Sequence, residues 1–203
     1  MPAYGNQTAM SREREAAKST REHLTRVASN LFFRDGIHAV GVDAIATAAG
    51  VAKTTLYYYF KTKDDLVLAH LEWCNANFWR WFESATAGKA QPRARLLRLF
   101  VALAELVQDP TCFGCPFMNA AAEFIDPSHP GHAAAIAHKD RVRERLADLS
   151  REARAINPEA LADHLLLVMD GAFASCRMYG RTGPARHVED AAVTLIGAAL
   201  PKR

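Results

Sequence analysis

The sequence predicts an all-α protein that consists of an N-terminal three-helix head and a larger C-terminal helical body. Two observations predict this class: apolar residues recur at helical spacing along most of the chain, and no segment shows the apolar–polar alternation of a half-buried strand. Gly and Pro fall between the periodic segments, where they end or begin helices. The length of 203 residues is sufficient for a small head and for a body with its own apolar core.

Composition and charge narrow the class of protein. Half of the residues are hydrophobic and 23% are charged, as in ordinary globular proteins. The N-terminal segment is polar and charged, unlike a signal peptide, and no apolar run approaches the roughly 18 residues of a membrane span. We therefore expect a cytoplasmic protein with no membrane partner and with reduced cysteines. The net charge of +3 does not by itself indicate a nucleic-acid partner.

The head is predicted to contain three helices, within residues 18–63. The first helix stops at Gly36, and its apolar stripe consists of Leu24, Val27, Ala28, Leu31 and Phe32. The second is expected over residues 42–49 and the third over residues 52–59. Residues 1–17 are expected to form a flexible basic arm, and residues 64–203 form the body.

The segment 36–63 has the pattern of a helix-turn-helix. Gly50 permits a left-handed turn between its two helices, and Val51 fills the angle between them. The second helix of such a motif enters the major groove of DNA with its N-terminus first. Leu56 and Phe60 are expected to face the core of the head. The residues expected to contact bases, sugars or phosphates are Lys53, Thr54, Thr55, Tyr57, Tyr58 and Tyr59.

Two features of this region have a simpler alternative interpretation. The three tyrosines could fill the core, but consecutive residues span about 200° of a helix, so at least one of them must be exposed. The basic arm contains Arg12 and Arg14, which either contact DNA or belong to a solvated helix face.

The run GVAKTTLYYYF over residues 50–60, followed by KTK over residues 61–63 and by Leu66, is similar to the signature of the TetR family of transcription regulators. Phe32, Gly36 and Ile45 also fit the spacing of that family. The resemblance is specific over residues 20–70 and only architectural beyond them. It implies a homodimer of about nine helices per subunit, in which the eighth and ninth helices form a four-helix interface.

The resemblance also implies roles for single residues. Lys63 matches the lysine that contacts phosphate at the start of the fourth helix, and Tyr58 and Tyr59 match an aromatic and a histidine phosphate contact. The chain departs from the family where Gly41 and Val42 replace the frequent Ser or Thr at the cap of the second helix. A phosphate contact at Val42 would therefore come from main-chain amides.

Six further helices are predicted in the body. Thr62 is expected to cap the first of them, because acidic residues follow it in the first turn. The remaining five are expected to begin near residues 92, 116, 132, 158 and 185. The helix that begins near residue 92 carries an apolar stripe of Leu96, Leu99, Phe100, Leu103 and Val107, and the helix that begins near residue 132 is expected to end near Ile156.

The body is expected to bind a small molecule, although its aromatic side chains are by default core residues. Several polar residues lie within apolar stretches, and a pocket with a few convergent polar groups is one way to accommodate them. The aromatic composition favours an apolar or aromatic inducer. The expected lining residues are Phe78, Trp81, Phe100, Phe117, Asn119, Glu123 and Phe124.

The dimer interface is expected on the last two helices, because each carries an apolar stripe among small residues that permit close approach. The stripe on the eighth helix consists of Leu161, Leu165, Val168, Ala172 and Cys176, and that on the ninth of Ala192, Leu195, Ile196 and Ala199.

Cys112 and Cys115 form a single CxxC motif with three possible interpretations. Structural zinc is disfavoured, because zinc needs four ligands and no second pair is present at a suitable spacing. The cysteines are otherwise packing thiols or a thiol-based sensor. We expect no metal and no cofactor.

The leading functional hypothesis is a repressor that binds a double-stranded, palindromic operator as a homodimer and is released by its ligand. The alternatives are an activator or ligand-independent regulator of the same fold, and a redox sensor that uses Cys112 and Cys115. An enzyme is not expected, because the sequence contains no nucleotide-binding glycine loop, HExxH motif or nucleophile elbow.

Overall fold

The computed structural model describes residues 5–88 and 91–201, and the side chains within these ranges from residue 17 onward. The described residues form α-helices, two short 3-10 helices and connecting loops, without a strand, which confirms the all-α prediction. The helices are α1 Gly5–Asp35, α2 Val42–Ala48, α3 Lys53–Tyr59, α4 Lys63–Thr86, α5 Pro92–Gln108, α6 Pro116–Glu123, α7 Pro130–Glu152, α8 Pro158–Tyr179 and α9 Val188–Ala199. The 3-10 helices, Gly180–Thr182 and Pro184–His187, connect α8 to α9.

The two largest differences from the predicted helix boundaries are at the start of α1 and at the end of α7. The first helix begins at Gly5, within the segment expected to be an arm, because residues 9–18 are rich in Ala, Glu, Arg and Lys, which favour helix. The side chains of Arg12 and Arg14 lie outside the described residues. Helix α7 ends at Glu152 and not near Ile156, because Arg154 adopts a left-handed conformation with φ of 59°.

The chain separates into two compact units, Met1–Cys74 and Asn75–Arg203. The boundary lies inside α4, whereas the sequence suggested a head that ends at residue 63. In the first unit, the core consists of Leu24, Ala28, Phe32, Ile37, Val40, Ile45, Leu56, Phe60, Leu66 and their buried neighbours. The start of α4 is capped as predicted, because the Asp65 amide donates to Thr62 Oγ1 over 3.0 Å and the Thr62 amide donates to Asp65 Oδ2 over 2.9 Å.

The core of the second unit forms around α5, which packs against α7, α8 and α9. Helix α7 packs in turn against α6 and α8. Leu96, Leu99, Phe100 and Leu103 of α5 have no solvent-accessible surface. The apolar stripe predicted on this helix is therefore the inner wall of the body.

The residues predicted to form the dimer interface lie mainly in this same core. Leu161, Leu165, Ala172, Cys176, Ala192 and Ile196 are buried within the subunit, and Val168, Leu195 and Ala199 are half-buried. Each of these six buried side chains is covered by its own subunit and therefore presents almost no surface to a partner. The periodicity identified the inward faces of α8 and α9.

Two histidines are buried, one in each unit. His70 lies edge-on to the Phe32 ring, with centroids 5.6 Å apart, and burial lowers its pKa to about 4. His138 stacks on the Phe117 ring at 3.6 Å, and its Nδ1 lies 2.9 Å from Asn75 Oδ1, which also accepts from Trp79 Nε1 over 3.0 Å. Burial, assisted by the nearby Lys139 and Arg141 charges, lowers the pKa of His138 to about 3.

The His138→Gln substitution tests this assignment through the pH dependence of stability. An unfolded histidine takes up a proton near pH 6.5, whereas folded His138 does so only near pH 3, so its contribution to stability is complete above about pH 6.5 and is lost as the pH falls. The variant keeps an amide donor for Asn75. We expect the slope of unfolding free energy against pH to fall by about 1 kcal/mol per pH unit between about pH 5 and 6.

The measurement is urea unfolding at a series of pH values. The exposed histidine variant His187→Gln is the control and should keep the wild-type slope. An unchanged slope in His138→Gln would show that His138 is not held neutral.

Candidate nucleic-acid interface

The turn between α2 and α3 has the predicted helix-turn-helix geometry. Gly50 has φ of 67°, in the left-handed region that an L side chain rarely adopts. The Ala49 amide donates to Ile45 O over 2.9 Å, and the Val51 amide donates to Ala46 O over 3.0 Å. These hydrogen bonds satisfy the end of α2 and direct the chain into α3.

Helix α3 has a buried face and an exposed face. Leu56 and Phe60 are each 1% exposed, as predicted, and the Arg21 guanidinium lies 4.8 Å from the Phe60 ring centroid. Tyr58 is 72% exposed and Tyr57 38% exposed, so the expectation that at least one tyrosine is exposed is confirmed. The exposed face is therefore polar and aromatic.

The N-terminal end of α3 carries the polar residues expected to read DNA. Lys53 and Thr54 are exposed and Thr55 is half-buried. Lys53 Nζ pairs with Asp43 of α2 at 2.8 Å, and this carboxylate raises the pKa of Lys53 through a hydrogen bond and its charge. No local sequence pattern indicates this ion pair, because its members are ten residues apart and meet only through the angle between the helices.

Lys61, beside the tyrosines, is a further candidate contact residue. Lys61 is exposed, and its Nζ lies 3.5 Å from Tyr58 O and 5.9 Å from the Tyr58 ring centroid. The Tyr58 and Tyr59 rings meet edge-on with centroids 5.0 Å apart. The position of Lys61 directly after the tyrosine run was the available signal.

Lys63 and Val42 lie at the starts of two other helices. Lys63 Nζ donates to His38 O, in the loop before α2, over 3.5 Å. Gly41 caps α2 without a side-chain hydrogen bond, and Val42 is half-buried. The main-chain amides at the start of α2 are therefore not occupied by a side-chain cap. The sequence of residues 41–42 suggested this arrangement.

The expected ligand-binding residues of the body differ in accessibility. Phe78, Trp81, Asn119 and Glu123 are half-buried. Phe100 has no accessible surface, Phe117 is 2% exposed and Phe124 is 9% exposed. Because a side chain that lines a water-sized cavity keeps accessible surface, Phe100 lines no such cavity, and a ligand would reach it only after the core repacks. Phe117 keeps almost no accessible surface.

The cysteines of the CxxC motif have different surroundings. Cys112 is half-buried and its Sγ lies 3.2 Å from Cys176 Sγ on α8, whereas Cys115 caps α6 and is buried. In the described part of the chain, no three His, Cys, Asp or Glu side chains converge as a metal site would require. The described helices also include none that is long and apolar enough to cross a membrane.

Comparison with known protein families agrees with this geometry. The family model described as "Bacterial regulatory proteins, tetR family" matches residues 24–70, and one described as "Tetracyclin repressor-like, C-terminal domain" matches residues 92–192. The transcriptional regulator AcuR of Cereibacter sphaeroides is 33% identical over 173 residues, which cover 80% of this chain and 75% of AcuR. The chain belongs to the TetR family of DNA-binding transcriptional regulators.

Solved structures support the same conclusion. A TetR-family transcriptional regulator from Streptomyces coelicolor superimposes with a TM-score of 0.85 at 26% identity, over 91% of this chain and 97% of that one. The repressor NemR of Escherichia coli is 30% identical over 117 residues, covering 57% of this chain and 59% of NemR. Regulators of this family bind operator DNA as dimers.

Lys53→Ala and Tyr58→Phe should weaken operator binding without lowering the thermal midpoint, because both side chains are exposed. Loss of one specific contact costs about 1–3 kcal/mol, which corresponds to roughly a fivefold to 150-fold increase in Kd. Mobility shift with operator and random duplexes measures the effect, and calorimetry measures the midpoint.

Asp43→Asn is the matched variant for Lys53. It removes the carboxylate that competes with DNA for the Lys53 ammonium, so it should tighten binding, whereas Lys53→Ala weakens it. Weaker binding by Asp43→Asn would show that the ion pair organises Lys53 for recognition.

Lys63→Ala should weaken binding to operator and random DNA alike. A lysine that contacts phosphate contributes a nonspecific, counterion-releasing interaction, so its loss should reduce the slope of log affinity against log salt by about 1. Titrations of both duplexes over a range of salt concentrations measure this slope. A changed base preference with an unchanged slope would contradict the assignment.

Proposed function

We propose that the protein is a repressor that recognises a palindromic operator through α3 and is released from it by a small apolar or aromatic ligand. The observation that carries the DNA-reading part is the division of α3, in which Leu56 and Phe60 are buried while Lys53, Thr54 and Tyr58 are exposed. Such a helix is rigidly seated and presents donors to base edges and phosphates.

The palindromic operator follows from dimeric binding. Two copies related by a twofold axis present two α3 helices, so the favoured DNA site contains two inverted half-sites. Spacing between half-site centres of one helical turn or a multiple, about 10 base pairs or its multiples, allows both helices to enter major grooves on one side of the duplex.

The proposed dimer interface is the outward face of α8 and α9. Leu167 is 69% and Met178 72% exposed on α8, and Val193 is 44% exposed on α9. A second copy of the chain would cover these exposed apolar side chains, which lie on neighbouring helices.

Two glycines on this face support the same interface. Gly171 on α8 and Gly197 on α9 are exposed, and a Cβ added to either would meet no atom within 4 Å. Neither has a positive φ, so the fold of the subunit does not require glycine there. Glycine within a helix costs about 0.5–1 kcal/mol relative to alanine, and close approach of a partner helix accounts for it.

The proposed ligand site lies in the body beside α4 residues of the second unit and α6. Phe78, Trp81, Asn119 and Glu123 combine aromatic surface with an amide and a carboxylate, and each keeps some accessible surface. This combination suits a ligand that is largely apolar and carries one or two polar groups. Repression as the regulatory outcome is supported by the relative NemR, which is named a repressor.

Leu167→Glu should give a monomer that binds the operator poorly, because a charge buried at a subunit interface costs several kcal/mol. Sedimentation or size exclusion at micromolar concentration measures the oligomeric state. Ile125→Glu is the matched control, since Ile125 is also exposed, at 82%, but lies after α6. A fully dimeric Leu167→Glu would refute the interface.

The proposed function as a whole is tested on the protein's own upstream DNA. Footprinting should reveal a protected palindrome, and a panel of aromatic acids, aromatic amines and sugars should show release by an aromatic compound and none by the sugars. A reporter gene behind the palindrome should be expressed more strongly without the protein; weaker expression would identify an activator.

Asn119→Ala should raise the ligand concentration for half-release by about fivefold, since a lost hydrogen bond to a bound ligand costs about 1 kcal/mol. Asn77→Ala is the control, because Asn77 pairs with Arg80 on α4. Equal release curves for wild type and Asn119→Ala would exclude Asn119 from the ligand site.

A further inference from the structure

Two thiols that are far apart in sequence meet in the body. Cys112 lies in the loop between α5 and α6, Cys176 lies near the end of α8, and their sulfur atoms are 3.2 Å apart. A disulfide bond joins sulfurs about 2.05 Å apart, so the two sulfurs would need to approach by roughly 1 Å to form one. Neither cysteine is part of the DNA-reading surface or of the proposed ligand site.

The loop that carries Cys112 is held against α8. Gly114 has φ of 91°, and a Cβ added to it would lie 3.2 Å from Cβ of Arg177. The Cys112 amide donates to Asp109 O over 3.0 Å, and the Thr111 amide donates to Asp109 Oδ1 over 2.7 Å, which closes the turn before Cys112. The proximity of the two sulfurs is therefore supported by the backbone on both sides of Cys112.

The two thiols differ in accessibility. Cys112 is half-buried and retains accessible surface, whereas Cys176 is 4% exposed and its Sγ lies 3.3 Å from Phe173 O in its own helix. An oxidant from solvent therefore reaches Cys112 first, and Cys176 lies directly behind it.

We propose that Cys112 and Cys176 are a redox-modifiable pair that closes to an intrasubunit disulfide under hydrogen peroxide. Cys112 sulfur attacks one peroxide oxygen, the O–O bond breaks, and the products are a sulfenic acid and one water. Cys176 sulfur then attacks the Cys112 sulfur, the S–O bond breaks, and the hydroxyl leaves with the Cys176 proton as a second water. The two thiols are oxidised by two electrons in total, and one peroxide is reduced to two waters.

The environment of Cys112 sets the conditions under which this chemistry proceeds. Burial raises the pKa of the Cys112 thiol to about 12, so the reactive thiolate is scarce near neutral pH. The first step is consequently slow, and the pair responds to sustained oxidant and not to a brief pulse. Cys115, at the start of α6, is less accessible to an oxidant than Cys112, because it is only 5% exposed.

Peptide mapping under non-reducing conditions tests the proposal on the full chain. After peroxide treatment, iodoacetamide blocks the remaining thiols and trypsin releases residues 99–139, which contain Cys112 and Cys115, and residues 155–177, which contain Cys176. We expect these two peptides to be joined, with a combined mass lower by two hydrogens. The disulfide-linked peptide pair should also form in Cys115→Ala and should be absent from Cys112→Ser and Cys176→Ala.

Three outcomes would overturn the proposal. The first is a bridge within residues 99–139, which would pair Cys112 with Cys115. The second is a crosslink between subunits on a non-reducing gel. The third is complete alkylation of Cys112 and Cys176 in a sample whose Met118, in the same peptide as Cys112, is already oxidised to sulfoxide. The wild-type result decides each case even if a variant folds poorly.

Discussion

The burial of Leu56 and Phe60 is the constraint on which the DNA-reading surface depends. Helix α3 has seven residues, whereas isolated helices shorter than roughly 12–15 residues are marginal in water. Its position must therefore come from packing, and each fully buried apolar side chain contributes about 1.5–3 kcal/mol. Once these two side chains are seated, the helical period places Lys53, Thr54 and Tyr58 on the solvent side.

The polar surface of α3 is organised differently from its core. Lys53 is paired with Asp43, and both side chains are exposed, so the pair is screened and exchanges readily with water. In the proposed recognition of DNA, phosphates and base acceptors would compete with Asp43 for the same ammonium. The apolar face thus fixes where the helix lies, while the ion pair would determine how freely Lys53 meets DNA.

Much of the fold was predictable because it follows from local signals. The stop at Gly36, the turn at Gly50 and the cap at Thr62 are each determined by one or a few neighbouring residues. The burial of Leu56 and Phe60 follows from helical period alone. The dimer face is harder to predict, because both sides of α8 carry apolar residues, with Leu165 inward and Leu167 outward, and periodicity does not tell which side the subunit covers itself.

The contacts that could not be predicted join residues that are distant in sequence. Asn75 holds His138 from a position 63 residues away, and Cys112 meets Cys176 across 64 residues, so neither contact leaves a local pattern. The CxxC spacing suggested that Cys112 pairs with Cys115, whereas in the fold Cys112 faces Cys176 of α8. Chemistry between side chains depends on distance in space, and in a helical body that distance is set by which helix faces pack. The inward stripe of α8, which periodicity did identify, is also what brings Cys176 to the loop before α6.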